Sequence, residues 1–149
     1  MNKYPSWWNQ GITIYNQYKD PTTHKIKWYR TVIPKKCFWR YTQTEFIVSG
    51  TLVKTNETIC RIPKQSNFLE PYQWEQLTDE EKSKFFTLRI GDMIVKGVVE
   101  DDIDEYTAGS RSNDFLNKYK KLQGCTIIAM VAVNTDGGRG TEHYLVKGS

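Results

Sequence analysis

The densest group of potential metal ligands in the chain is the acidic run Glu100-Asp101-Asp102-Ile103-Asp104-Glu105. A calcium loop needs spacers between its carboxylates so that their oxygens converge on one ion, as in D-x-D-x-D-G with a glutamate at the twelfth position. The run has neither feature, so a solvated turn is expected and no metal is assigned to it. Gly137, Gly138 and Gly140 have the glycine density of a phosphate loop. No Lys-Ser/Thr follows them and their flanks read as strands, so no helix N-terminus is expected there to receive a phosphate. His24 falls in a turn and His143 stands beside Glu142, but no motif places a nucleophile near either. The sequence therefore assigns no catalytic residue and no cofactor. Cys37, Cys60 and Cys125 are odd in number, far apart and without C-x-x-C spacing, as free packing thiols would be. The last group interleaves aromatic and cationic side chains, in Trp28-Tyr29-Arg30 and Phe38-Trp39-Arg40-Tyr41. Such a surface could stack bases of a single-stranded nucleic acid on an OB-like barrel, whereas in a small β protein the same aromatics commonly form the core.

These residues must be positioned by one domain, since 149 residues suffice for one real core and are short for two. No stretch approaches the roughly 18 apolar residues of a membrane helix, and the N-terminus lacks the apolar segment of an export signal. The expectation is a single domain over residues 1–149, not associated with a membrane, with 1–11 as an aromatic arm that docks through Tyr4, Trp7 and Trp8. Charge is divided along the chain. Residues 1–64 carry 11 basic against 3 acidic side chains, and the remainder 10 against 14. Folding can mix such halves into ordinary solvated faces, or they can form two surfaces that meet between subunits.

Alternation of apolar and polar residues predicts a mainly β chain. Phe85–Val99, with its Gly91-Asp92 turn, is the expected central β segment. A first strand runs from Ile12 to a turn at Asp20-Pro21. A second runs from Ile26 to Tyr41 and is expected to break in two at Pro34, its second piece buried on both faces. Phe46–Val48 and Thr51–Val53 flank a Ser49-Gly50 hairpin turn, and a further strand, Thr58–Ile62, stops at Pro63. Lys64–Leu77 reads as a long irregular loop. The Thr78-x-x-Glu81 capping box predicts a short helix from Asp79 to Lys84, and Phe115, Leu116, Tyr119 and Leu122 predict a longer one between Ser112 and Leu122. A last hairpin joins Cys125–Asn134 to Glu142–Val146. The fold expected is a small β-barrel or sandwich-like domain with one short helix and one longer helix near the C-terminal third.

The order of these elements, with the WYRTVI strand (Trp28–Ile33), CFW (Cys37–Trp39), RIP (Arg61–Pro63), GDMIVKG (Gly91–Gly97) and EHYLVKG (Glu142–Gly148), resembles the phage and prophage head-tail connector family of head-closure (stopper) and adaptor proteins. The resemblance implies a non-enzymatic virion neck protein, assembled in the host bacterial cytoplasm, that forms a ring of identical copies between portal and tail. It implies a portal or adaptor ring above, a tail-completion or tail-tube protein below, and double-stranded DNA passing through the lumen without sequence-specific binding. Two long segments would then reach the lumen or a neighbouring ring: Lys64–Leu77, with Phe68, Tyr72 and Trp74, and Glu100–Asn113. Trp7 and Trp8 would clasp a neighbouring copy, where Lys35, Lys36 and Arg40 would face Asp101, Asp102, Asp104 and Glu105. With few apolar anchors, Glu100–Asn113 is expected to be mobile until assembled. A tail-completion protein of the same virion region and an OB-like single-strand-binding module are the alternatives.

Overall fold

The first strand, β1 (Gln10–Lys19), is buried from Gly11 to Asn16, which requires cover on both of its faces. Ile12 and Ile14 point into one cluster with Ile33, Cys37, Cys60, Ile62, Ile94 and Val146, while Tyr15 joins a second cluster with Met93, Val95, Phe115 and Tyr119. The first is the interior of a closed sheet and the second lies under a helix. This structure is a computed structural model that describes residues 4–134 and 142–148. The expected turn at 136–140, with its glycine-rich stretch, lies outside the described residues.

Five further strands follow: β2 (Ile26–Val48), β3 (Thr51–Pro63), β4 (Met93–Lys96), β5 (Cys125–Asn134) and β6 (His143–Gly148). All pair antiparallel in the order β1-β2-β3-β6-β5-β4, and β4 returns to β1, so the sheet closes. The chain is thus mainly β with minor α, as the alternation predicts. Among the described residues, three helices accompany the sheet: α1 (Pro71–Glu75), α2 (Asp79–Lys82) and α3 (Ser112–Leu122).

Pro34 does not divide β2. The β1–β2 register slips between Gln10↔Cys37 and Ile12↔Ile33, and Lys36 has φ 73°, so the proline sits in a bulge where a missing N–H costs no ladder bond. Gly11 makes the bulge possible, since a Cβ there would lie 2.6 Å from the Pro34 carbonyl oxygen. At this kink β2 exchanges partners. It pairs with β1 as far as Cys37 and with β3 from Phe38 to Val48. The separate short strands expected on either side of Ser49-Gly50 are therefore the ends of two long ones. Ser49 (φ 51°) and Gly50 (φ 80°) take the left-handed conformations of a tight hairpin turn.

The segment between β3 and β4 departs from the expected irregular loop. Pro71 begins α1, where its absent N–H is no loss, and Glu70 with Gln73 completes a capping box. Trp74 is fully buried, donates its indole N–H to the Phe85 carbonyl at 3.1 Å, and meets Tyr29 and Tyr18 edge-on. Phe68 bridges to Phe86 and stacks on Tyr144. These residues lie within the protein's own packing, which corrects the expectation that Phe68 and Trp74 reach a lumen; Tyr72 alone of the three is exposed. The Thr78 capping box forms as the sequence predicts. Within the expected central segment only Met93–Lys96 is strand. Phe86, Thr87 and Leu88 alternate and are buried, but apart from the single Phe68 bridge they pair with no strand.

Candidate functional site

Residues 40–57 are exposed apart from Val53, which is half-buried, and they form the distal parts of β2 and β3 around the Ser49-Gly50 turn. At about 3.4 Å per residue, the stretch from Tyr41 to Val48 extends about 25 Å beyond the closed sheet. This arm is rich in the side chains that ordinarily form a core. Ile47 is 73% exposed and Leu52 56%, and Phe46 and Val48 are also open to solvent. The sequence shows why a ribbon forms. Thr and Val suit an extended chain, Ser49-Gly50 suits the turn, and Ile47↔Leu52, Phe46↔Val53 and Thr44↔Thr55 are compatible cross-strand pairs. Glu45 and Lys54 add an ion pair at 3.5 Å across the ribbon.

At the base of the arm lies a groove of about 720 Å³ between its Trp39–Tyr41 face and the end of α3. Trp39 and Tyr41 line one wall, and Lys96, Lys120, Lys121 and Leu122 the other. The helix ends there because Gly124, at φ 113°, turns the chain into β5. The aromatic and cationic residues singled out in the sequence are thus only partly gathered. Strand alternation puts Phe38 and Arg40 on the opposite face of the arm from Trp39 and Tyr41. Tyr29 is buried, its hydroxyl donating to Asp79, and Trp28 packs beside the cluster under α3.

The N-terminal arm is held by its own chain. Trp8 stacks on Tyr4 at 5.3 Å, meets His143 edge-on at 5.3 Å and contacts Phe38 at 6.4 Å, while the Tyr4 hydroxyl donates to the Glu142 carbonyl. Trp8 is thus half-buried against its own chain, while Trp7, at 65% exposed, remains on the surface. His143 is buried, with its Nε2 2.9 Å from Arg61 Nη1, and the Glu142 carboxylate pairs with Lys64 at 3.2 Å. Histidine and glutamate are adjacent in sequence but engaged in different contacts.

The acidic run is anchored as well. Ile103 is buried, Asp101 accepts hydrogen bonds from Tyr119 and Lys118, and Asp102 lies 3.7 Å from Arg30. Asp104 receives the Tyr106 N–H and the Thr107 hydroxyl, and Glu105 receives the Ser112 N–H at 2.6 Å at the start of α3. Donors from Tyr119 and Lys118 hold the Asp101 carboxyl below its ordinary range, and those at Tyr106 and Thr107 do the same for Asp104. The segment is therefore tied to its own chain by these contacts and by Ile103, more anchors than its sequence alone shows. Lys35, Lys36 and Arg40 lie exposed near the β2 bulge, and the acids' partners within this chain are Arg30 and Lys118 instead.

Two buried polar clusters escape a reading of the sequence. Arg89 bonds Glu75 at 2.5 Å and Asp92 at 3.2 Å, donates to the Gln17 carbonyl, and lies over Trp74. Buried Asp92 also accepts from the Asn16 amide and the Gln17 N–H. Lys82, 3% exposed, places its ammonium 4.0 Å from the centre of the Tyr18 ring and donates to the Glu75 and Leu77 carbonyls. Both clusters bind the α1–α2 segment to the sheet. The i, i+3 spacing of Arg89 and Asp92 across Gly91 was their only local signal. The three thiols are buried and unbridged; burial raises Cys37 and Cys125 to about 12 and Cys60 well above its usual value, so they pack rather than react. Among the described residues, no group of three or more His, Cys, Asp or Glu side chains gathers to hold a metal, and no helix is long and apolar enough to cross a membrane.

The arm and the groove at its base thus gather several apolar side chains that the chain leaves incompletely covered. Comparison with known proteins finds no match among curated proteins and none among solved structures. A family model does match, over residues 7–149, and the chain belongs to that family, described as "Family of unknown function (DUF6751)".

Proposed function

We propose that this protein is a non-enzymatic structural subunit of a phage virion neck, which joins copies of itself in a ring between portal and tail, closes the head and surrounds the DNA path. The arm carries this reading. An exposed two-stranded ribbon bearing Phe46, Ile47, Val48 and Leu52 gains nothing from its own sheet and is marginally stable alone in water, so its stability must come from contact with another chain. A subunit with such an arm suits repeated assembly. The order of its strands resembles that of head-closure and adaptor proteins, and no turnover is assigned to it. The implied partners are a portal or adaptor ring above and a tail-completion or tail-tube protein below, in a particle assembled in the host cytoplasm; a tail-completion slot in the same region is the near variant.

The groove supports a second reading, in which Trp39 and Tyr41 stack bases while Lys96, Lys120 and Lys121 meet phosphates of a single strand. One pair of measurements separates the two. Electron microscopy of virions carrying a tagged copy should show the tag in a ring at the neck; a tag absent from virions, or located elsewhere on them, overturns the first reading. Salt-dependent quenching of tryptophan fluorescence by short oligonucleotides, lost in Trp39→Ala, would establish the second.

A further inference from the structure

We infer that the arms of neighbouring copies join edge to edge, so that the ribbons of a ring close into one continuous antiparallel sheet. This rests on the ring reading above and identifies the surface that holds the ring together.

The observation is a pair of open edges. Past Cys37, β2 has left β1 and pairs only with β3, and β6 covers β3 only between Thr58 and Pro63. Among the described residues, β2 therefore has one edge without a strand from Phe38 to Val48, and β3 has one from Thr51 to Glu57. In an antiparallel ladder every second residue of an edge strand turns its N–H and C=O outward, so each edge presents a row of unused donors and acceptors. The two edges lie on opposite sides of one ribbon. Placing the β2 edge of one copy against the β3 edge of the next repeats the order β2-β3-β2-β3, a head-to-tail contact that closes when the rotation does.

Register and charge favour a second copy as the occupant. Within an arm, the Ser49-Gly50 turn sets Gln43, Glu45 and Ile47 level with Asn56, Lys54 and Leu52. With the arms along the ring axis, ring symmetry brings the same residues of the neighbouring copy level on the open side, without the stagger that tilted strands would impose. Each row then remains complementary around the ring. Glu45 stands between its own Lys54 and that of the next copy, Ile47 between two leucines, and Gln43 between two asparagines. A two-fold pairing of like edges centred on the charged row would instead oppose Glu45 to Glu45 or Lys54 to Lys54, which is unfavourable. The head-to-tail arrangement avoids that clash.

The experiment uses two full-length variants whose arms cannot pair with themselves. Glu45→Lys leaves only basic side chains in the charged row, and Lys54→Glu only acidic ones. Both sites are exposed, so each variant should keep the wild-type thermal midpoint, which excludes misfolding as a cause. Native mass spectrometry at low salt should show the wild-type oligomer, its loss in either variant alone, and its recovery in an equimolar mixture. A repulsion confined within one arm could not be relieved by mixing. Single variants that assemble like wild type, a mixture that recovers nothing, or a wild-type chain that stays monomeric at every concentration would each overturn the inference. Its failure is distinct from failure of the neck reading. A tagged copy in the virion neck with indifferent arm variants removes only this inference, and recovery on mixing without incorporation into virions removes only the neck.

Discussion

The closed sheet around β1 and the arm formed by β2 and β3 are made of similar sequence and have opposite environments. From Gly11 to Asn16 every residue is buried, because the barrel interior takes Ile12 and Ile14 while α3 covers Tyr15, and Met93 and Val95 beside it, on the other side. From Tyr41 to Val48, Tyr, Phe, Ile and Val recur on both faces and none is buried. Strand propensity is satisfied equally in both. What differs is the availability of a second layer: α3 and the α1–α2 segment cover the barrel, and among the described residues no further element covers the arm. Apolar content thus specifies that a strand seeks cover, but the cover need not come from the same molecule.

The largest break in this comparison should come from the barrel side. Trp74→Ala removes a fully buried ring and leaves the Phe85 carbonyl without its indole donor, and the aromatic contacts with Tyr18 and Tyr29 go with it. Replacing a buried aromatic by alanine costs about 3 to 5 kcal/mol. Chemical denaturation of the monomer should show a loss of that size, whereas Ile47→Ala on the arm should change monomer stability by no more than about 0.5 kcal/mol. Comparable losses from the two substitutions would mean that the arm is packed after all.

The sequence was legible where a few neighbouring residues decide the structure. The Asp20-Pro21 turn, the Ser49-Gly50 hairpin, the Thr78 capping box and the periodic helix ending before Gly124 all carry local chemistry, and all form. It misled where a distant partner decides. Pro34 breaks a ladder unless the opposite strand offers Gly11 at a bulge, and nothing near Pro34 records that. Phe86, Thr87 and Leu88 are all buried, and their apolar–polar–apolar order looks the same whether or not a strand lies alongside. Glu70-Pro71 with Gln73 is a readable helix start, masked by the surrounding aromatics of an apparent loop. Of the candidate site, the turn was visible and the arm was not. Its length depends on where β1 stops pairing with β2 and β6 with β3, which no residue of the arm itself records.

A smaller effect should come from the layer that distinguishes the two regions. The Tyr119 hydroxyl, at the end of the helix that covers β1, donates to Asp101, so Tyr119→Phe keeps the ring in the Tyr15–Phe115 cluster and removes one charge-assisted hydrogen bond. Because Asp101 is partly solvated, a loss of about 1 to 2 kcal/mol is expected, around the lower end of the range for bonds to charged groups. The same contact predicts an acid response. Hydrogen bonds from Tyr119 and Lys118 lower the folded-state value of Asp101, and those from Lys27 and Tyr29 lower that of Asp79. The unfolded chain therefore binds more protons in this range. The stabilisation is complete above the unfolded carboxylate value of about 3.9 and is lost as pH falls through the folded one. Thermal midpoints should fall on acidification below about pH 4, with a shallower decline in Asp101→Asn; equal slopes would show that the Tyr119 contact does not persist in solution.

The smallest effect on the monomer, and the sharpest form of the comparison, comes from shortening the arm. Deleting residues 43–48 and 51–56 joins Thr42 to Glu57 through the native Ser49-Gly50 turn. Thr42↔Glu57 occupies the same alternating class of cross-strand pair as the turn-flanking Val48↔Thr51, so the two-residue loop fits at the new position. Buried Thr58, Cys60 and Ile62 keep their partners in β2 and β6. A two-stranded ribbon with solvent on both faces contributes little beyond its own ordering entropy, so the shortened monomer should unfold within about 0.5 kcal/mol of the intact chain. Its denaturant slope should fall only in proportion to the smaller surface exposed on unfolding. If stability instead drops by several kcal/mol, the arm is an integral part of the sheet, and its exposed Phe46, Ile47, Val48 and Leu52 need no partner to account for them. If stability holds while the oligomer disappears, the arm's apolar residues act between molecules, as the aromatics around Trp74 act within one.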